Sequence, residues 1–334
     1  MLSADGRYLA FSAGNDAWTT GQYDIVFYDR NTDTAQSITP FDTIGAANGW
    51  AFNPAMTRDA RFIAFNTQSA FDPLDPGGAF DVYLVDRQGG PGLPPGSQPV
   101  GLVDPAQGFW TLYNLDGSVY KSFFFGNPGD YPIMGDWNCD GVSTPGMYRQ
   151  SDGFVYLRNS NSQGVGDIRF FFGNPGDIPI VGDFNNDGCD TVSIYRPSQG
   201  QAFIINQLGA NEGGLGAAEF SYFFGNPGDK PFVGDFNGNG VDTIGLHRES
   251  TGFVYFRQSH TQGIADSEFF FGDPGDRLVA GDWGIIDGVD SPAIFRPSDT
   301  TFYFRYTNTQ GNANATLTVG ESPWIPVAGM FFDN

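Results

Sequence analysis

The sequence predicts an all-β chain whose larger part is a five-bladed β-propeller of four-stranded blades, closed by the C-terminal strand. Three observations carry this. The phrase F-F-G-[ND]-P-G-D recurs and ends in Asp130, Asp177, Asp229 and Asp276, at intervals of 47, 52 and 47 residues. Self-similarity at about 40 to 50 residues marks a propeller or a solenoid. Each repeat holds four short apolar runs separated by Gly, Pro, Asn and Asp, with no helical period. The repeats also begin without one strand and end with that strand alone, so the two ends complete one another.

In chain order, the first segment has a texture of its own. S-A-D-G-R-Y-L-A-F at Ser3 to Phe11 returns as T-R-D-A-R-F-I-A-F at Thr57 to Phe65, and Y-D-I-V-F-Y-D-R at Tyr23 to Arg30 returns as F-D-V-Y-L-V-D-R at Phe80 to Arg87. These stretches resemble TolB-type propeller repeats. About two blades' worth lie in residues 1–88, an incomplete propeller-like segment, and Met1 falls inside a repeat. The expectation is a fragment of a longer protein. A Pro/Gly run without apolar period, residues 89–98, reads as a linker. The alternative architecture is a single seven-bladed ring.

Within residues 99–334 the repeat resolves into strands a to d. Strand a has five copies: Pro132 to Asp136, Pro179 to Asp183, Pro231 to Asp235, Leu278 to Asp282 and Pro326 to Met330. Strand b also has five: Val100 to Asp104, Gly146 to Arg149, Val192 to Arg196, Ile244 to Arg248 and Ala293 to Arg296. Phe109 to Tyr113 and Val119 to Phe125 supply c and d of a first blade that lacks its a. Closure through the last strand would remove an open sheet edge. G-D-F-N-N-D-G-C-D-T at Gly182 to Thr191 resembles the FG-GAP repeat of integrin-type propellers, over roughly residues 99–334.

The loops between a and b carry recognisable site chemistry. Calcium wants six to eight oxygens, and D-x-[DN]-x-[DN]-G supplies alternate side-chain oxygens, a carbonyl at the seventh position and a Gly for the turn. The candidate ligands are Asp136, Asn138, Asp140 and Val142; Asp183, Asn185, Asp187, Cys189 and Asp190; and Asp235, Asn237, Asn239, Val241 and Asp242. Where the FG-GAP pattern closes on Asp, this chain has Thr144, Thr191 and Thr243, with Asp190 and Asp242 one residue earlier. The Asp282 to Asp290 loop is longer and the fifth begins on Met330, so both are expected to hold no ion. D-G and N-G turns that only join strands are the plain alternative.

Other recurrences invite weaker readings. Phe runs, and one aromatic per blade at Trp137, Phe184, Phe236, Trp283 and Phe331, suit packing between blades, with a sugar-binding face as the alternative. Arg149, Arg196, Arg248 and Arg296 recur with the phrase-ending aspartates as expected ion pairs. Function is sought where repeats differ. His247 stands where other blades carry Val103, Tyr148, Tyr195 and Phe295, and a five-residue insert with Asn211 and Glu212 lies between Gln207 and Glu219. These three are candidate ligand-binding residues. Cys139 and Cys189, the only cysteines, sit in corresponding loops of adjacent blades and are candidates for a disulfide.

With 16 Lys plus Arg against 38 Asp plus Glu the net charge is −22, which repels phosphate backbones and anionic lipid. No apolar stretch approaches the ~18 residues of a membrane span. Neither nucleic acid nor membrane insertion is expected. The inner strands show no blade-specific acid pair, and no G-x-S-x-G or H-E-x-x-H occurs. The reading is an extracellular or cell-surface, calcium-stabilised propeller with a binding or adhesive role toward a protein or glycan. A carbohydrate-binding, lectin-like propeller is the alternative, and a polysaccharide hydrolase or lyase ranks third.

Overall fold

The computed structural model describes residues 1–2, 6, 8–14, 23–30, 34–37, 51–57, 62–67, 80–86, 93–94, 96–210, 212–283, 288–319 and 324–332. The chain divides into two compact units, residues 1–90 and 91–334.

The first unit holds two three-stranded antiparallel sheets. Strands β1 (Tyr8–Gly14), β2 (Tyr23–Asp29) and β3 (Thr34–Ser37) form one, and β4 (Ala51–Met56), β5 (Phe62–Thr67) and β6 (Asp81–Asp86) the other. Ala10, Ile25, Phe27, Ala51, Met56, Ile63 and Phe65 form a common core.

The second unit is the propeller. Its first blade contains β7 (Val100–Asp104), β8 (Phe109–Tyr113) and β9 (Val119–Phe124). The second is β10 (Tyr131–Gly135), β11 (Thr144–Arg149), β12 (Phe154–Leu157) and β13 (Ile168–Phe171); the third is β14 (Ile178–Gly182), β15 (Thr191–Arg196), β16 (Gln201–Ile204) and β17 (Phe220–Phe223). The fourth is β18 (Lys230–Gly234), β19 (Thr243–Arg248), β20 (Phe253–Phe256) and β21 (Ser267–Phe270); the fifth is β22 (Arg277–Gly281), β23 (Ser291–Arg296), β24 (Thr301–Phe304) and β25 (Ala315–Thr318). The last strand, β26 (Ile325–Ala328), pairs antiparallel with β7, so the first blade has the order β26-β7-β8-β9. Both ends of the unit build one sheet. The inner strands β10, β14, β18, β22 and β26 neighbour one another in a closed cycle, so the ring has five blades and the seven-bladed alternative does not form.

Residues 93–94 and 96–98 follow the ring. Leu93 is buried in the core between the fifth and first blades, and the Gln98 N–H donates to the Asp282 carbonyl at 3.0 Å.

Five apolar clusters, one at each junction, hold the ring together, and each contains one of the recurring aromatics. Trp137 lies between the second and third blades, Phe184 between the third and fourth, Phe236 between the fourth and fifth, Trp283 between the fifth and first, and Phe331 between the first and second. All five are buried. A fully buried ring of this size contributes about 1.5–3 kcal/mol over its exposed state. These rings are core and form no sugar platform.

The Phe runs divide. Phe123 and Phe125, Phe170 and Phe172, Tyr222 and Phe224, and Phe269 and Phe271 are buried, while the middle residues Phe124, Phe171, Phe223 and Phe270 face solvent. The outermost strand lies at the rim, past the reach of the neighbouring blade on one face, so period-2 alternation returns there.

Candidate functional site

Two ends of the ring carry chemistry. At one end each inner strand runs into its a–b loop, and the leading carboxylate organises that loop. Asp136 accepts the N–H groups of Asp140 and Gly141 at 3.1 and 2.7 Å. Asp183 accepts those of Asn185, Asp187 and Gly188, and Asp235 those of Asn237, Gly238, Asn239 and Gly240. Gly141, Gly188 and Gly240 hold φ of 84°, 86° and 81°, which is why glycine recurs at the sixth position.

Asp190 and Asp242, expected to close their own loops, are turned to the preceding blade instead. Asp190 accepts the Asp136 N–H at 2.7 Å and returns its own N–H to the Asp136 carbonyl at 3.0 Å. Asp242 pairs with Asp183 in the same way at 2.8 and 2.9 Å, and Asp290 with Asp235 at 2.9 and 2.8 Å. At the two remaining junctions Gln98 donates to the Asp282 carbonyl and Ser143 to that of Met330. Every junction therefore has a polar clasp at the same height. Burial between blades raises the Asp190 carboxyl to about 6 and the Asp290 carboxyl to about 7, with nearby carboxylates adding to the rise, and pushes Asp242 well above the usual range.

With those carboxylates engaged across the junction, each loop offers a cation three side chains and one carbonyl. The sets are Asp136, Asn138, Asp140 and the Val142 carbonyl; Asp183, Asn185, Asp187 and the Cys189 carbonyl; and Asp235, Asn237, Asn239 and the Val241 carbonyl. Among the described residues no three acidic, histidine or cysteine side chains come together as a metal-holding group. Calcium wants six to eight oxygens, so an ion in any of these loops would draw the rest of its shell from water. Cys139 and Cys189 are bonded, with Cα atoms 4.7 Å apart, beside the Asp136–Asp190 clasp.

At the opposite end lies a funnel. The expected Arg–Asp pairs line its periphery, each within one blade: Arg149 with Asp130, Arg196 with Asp177, Arg248 with Asp229 and Arg296 with Asp276, all doubly hydrogen-bonded at 2.8–3.0 Å. The guanidinium planes lie over Tyr156, Phe203, Tyr255 and Tyr303 at 4.6–4.7 Å. These pairs brace the turns. Asp104 takes the arginine's place in the first blade and caps the Ala106 N–H at 2.9 Å.

The funnel itself is a cavity of about 560 Å³. Its mouth is set by the first residues of the inner strands, Tyr131, Ile178, Lys230, Arg277 and Ile325, which pair with Tyr148, Tyr195, His247, Phe295 and Val103 on the second strands. Gln150 and Glu249 line it where other blades have prolines. Burial and the Glu249 charge raise the Tyr131 hydroxyl while Arg277 opposes the rise, so these three face one another in one field. Lys230 is exposed and, among the described residues, meets no carboxylate.

His247 is 1 % exposed, and its Nε2 is buried without a hydrogen-bond partner. The reason is reach. The Tyr148 and Tyr195 hydroxyls at the equivalent positions donate to turn carbonyls of Asn174 and Phe224 at 3.4 and 3.0 Å, and an imidazole is too short to do so. Burial lowers its pKa to about 4, so it is neutral near pH 7.

The other candidates lie elsewhere. Asn211 is outside the described residues. Glu212 is engaged at the rim, its side chain by Arg169 at 3.0 Å and its N–H by the Arg169 carbonyl. The insert runs on along β13, Phe171 donating to the Gly213 carbonyl and Leu215 to that of Phe171, each at 3.1 Å. It acts as an added strand over the outer edge of the second blade. Tyr131, Gln150, Lys230, Glu249 and Arg277 were missed by sequence reasoning. The signal is present, because aligned repeats disagree at these positions, but Tyr131, Lys230 and Arg277 precede the apolar run that marks strand a, and Gln150 and Glu249 follow the arginine that closes strand b.

No known protein family matches the chain, and no curated protein matches it. Among solved structures, the chain resembles one from "Crystal structure of BBS1N in complex with ARL6DN" at 9 % identity and a TM-score of 0.37, covering 97 % of this chain and 87 % of that one. The Dos1 propeller matches at 11 % identity and a TM-score of 0.33, over 96 % and 85 %. A chain of the mitotic checkpoint complex matches at 8 % and 0.31, over 89 % and 73 %. The propeller assignment rests on this chain's own strand pairing.

Proposed function

We propose that the second unit is a binding propeller that seats its ligand, a protein or glycan, in the funnel. One observation carries this: blades that repeat an aromatic and a polar clasp at every junction, and an Arg–Asp pair in four of the five, disagree at the funnel mouth, where Tyr131, Lys230, Arg277, Gln150, Glu249 and His247 break the repeat. Positions freed from the repeat are free to serve recognition. Extracellular or cell-surface placement is part of the proposal, and a disulfide between Cys139 and Cys189 supports it. So is kinship with FG-GAP repeats, with TolB-type repeats before them. Calcium in the three a–b loops is retained as a weakly held ion whose shell water would complete.

The lectin-like alternative has an observation of its own. Hollows of about 570 and 300 Å³ recur at the rim, one beside Phe171, Arg196 and Phe203 and one beside Phe270, Arg296 and Tyr303. A hydrolase or lyase ranks third, because Glu249 is the one carboxylate among the described residues lining the funnel. Repeat-swap variants separate the readings. Lys230→Ile copies Ile178 and Phe171→Ser removes an aromatic from the larger rim hollow, and both are assayed on glycan and extracellular-protein arrays. Binding lost in the first and kept in the second supports the funnel; the reverse pattern supports the rim.

A further inference from the structure

We infer that the funnel takes a small acidic sugar, its carboxylate held between Lys230 and Arg277 and one of its hydroxyls meeting the buried Nε2 of His247. The inference rests on the funnel being the ligand site, and it names the ligand's chemistry.

Charge comes first. In a protein of net charge −22 the general field repels anions, so an anion binds only where cations are gathered locally. Lys230 and Arg277 begin adjacent inner strands, β18 and β22, and both line the funnel. Arg277 is steadied by donating to the Trp324 carbonyl at 2.5 Å, while the Lys230 ammonium meets no carboxylate among the described residues. A cation pair of this kind suits a carboxylate.

The imidazole supplies the second observation. A buried polar atom without a partner costs about 1–3 kcal/mol, and such atoms are few in folded proteins. His247 Nε2 is one, it belongs to a residue lining the funnel, and its ring is neutral. A neutral ring nitrogen is a donor in one tautomer and an acceptor in the other. A hydroxyl is both, so a sugar hydroxyl satisfies His247 in either tautomer, whereas a second carboxylate oxygen suits only one.

The remaining lining is mixed in the way a sugar ring needs. Gln150 offers donor and acceptor and Glu249 accepts, while Pro231, Leu278 and Ile325 give apolar wall for the C–H faces. A cavity of about 560 Å³ lies in the range of small-ligand sites. A sulfate would use the cations but has no hydroxyl to donate to Glu249, and neither sulfate nor phosphate has C–H faces for the apolar wall.

The test uses the full chain and three variants that copy other blades or conserve charge: Lys230→Ile as in Ile178, His247→Tyr as in Tyr148, and Arg277→Lys. Glucuronate and galacturonate monomers and trimers are titrated by calorimetry beside glucose, galactose and acetate, with thermal melting as the control for fold. Uronates are expected to bind at least about tenfold tighter than either the neutral sugars or acetate, and Lys230→Ile and His247→Tyr each to weaken them at least about tenfold. Arg277→Lys retains part of the affinity. The imidazole pKa of His247, followed by NMR, should shift when uronate is added. Neutral sugars that bind as tightly as uronates, and lose affinity only in His247→Tyr, overturn the acidic-sugar inference and leave the funnel reading standing. Uronate affinity that survives every variant overturns both. Absence of uronate binding by a folded chain overturns the inference, and the array experiment with Lys230→Ile then judges the funnel separately.

Discussion

Phe331→Ala tests whether the last strand truly closes the ring. Phe331 is fully buried between the first and second blades, in a cluster with Trp110, Phe123, Met134 and Met147, and it stacks at 6.2 Å on Tyr120. Truncating a buried Phe to Ala costs about 3–5 kcal/mol, combining lost transfer energy with the cavity left behind. In a unit of this size each kcal/mol lowers Tm by about 2–4 °C, so the melting point should fall by about 6 to 20 °C. The matched control is Phe184→Ala, the same position at the junction of the third and fourth blades, where the ring is 3 % exposed. Continuous chain runs through that junction, so its packing does not depend on the C-terminal strand. Thermal and urea unfolding of both variants, read by tryptophan fluorescence and circular dichroism, gives the comparison. A closed ring predicts equal losses within about 1 kcal/mol. If Phe184→Ala costs several kcal/mol while Phe331→Ala costs less than 1, β26 is not a packed inner strand and the closure argument fails.

Three further outcomes follow from the geometry. Replacing Cys139 and Cys189 by Ser should destabilise the propeller by about 4 kcal/mol, the chain-entropy value for a closed loop of 50 residues; mass spectrometry of alkylated, unreduced protein should first show both thiols blocked. His247 titrates at about 4 in the fold against about 6.5 when unfolded, so the unfolded chain binds more protons between those values and stability is lost as pH falls from about 6.5 to 4. The native chain should therefore lose stability relative to His247→Tyr across that window, and a pH-independent difference would contradict the burial argument. Excess chelator should lower Tm by a few degrees and calcium restore it if the loops hold an ion; melting unchanged in chelator, with no calcium by elemental analysis, would return Asp136, Asp183 and Asp235 to the role of turn formers.

Much of the ring was legible because repetition exposes strand count, and the missing first a strand against the lone last one exposes closure. Partners between blades were less legible. Asp190 sits one residue from its own loop in sequence, yet the chain must cross to the preceding blade to satisfy the Asp136 N–H, and the period alone does not say which neighbour a side chain faces. The aromatic triplets misled at the rim for a related reason: Phe124 and its counterparts look like core until the reach of the adjacent blade is known. The funnel was hidden by a one-residue register choice. Beginning the inner strand at Pro231 instead of Lys230 removed the position at which the blades disagree most. The insert could be seen, but its docking as an extra strand on β13 depends on Gly213 and Leu215 meeting Phe171 across the junction, a contact no local pattern encodes.

The pairing that closes the ring also fixes how it would respond to mechanical load. Val100 pairs with Ala328 and Val103 with Ile325, so the start of β7 and the finish of β26 lie at the same end of one antiparallel ladder. Tension applied between the segments that lead into β7 and out of β26 would part the pairs one after another, as a zipper opens, and would not load all of them together in shear. The disulfide spans residues 139 to 189 and lies outside the loaded path. Under force the first blade would part first, baring the apolar junction around Phe331 while the other four sheets remain whole.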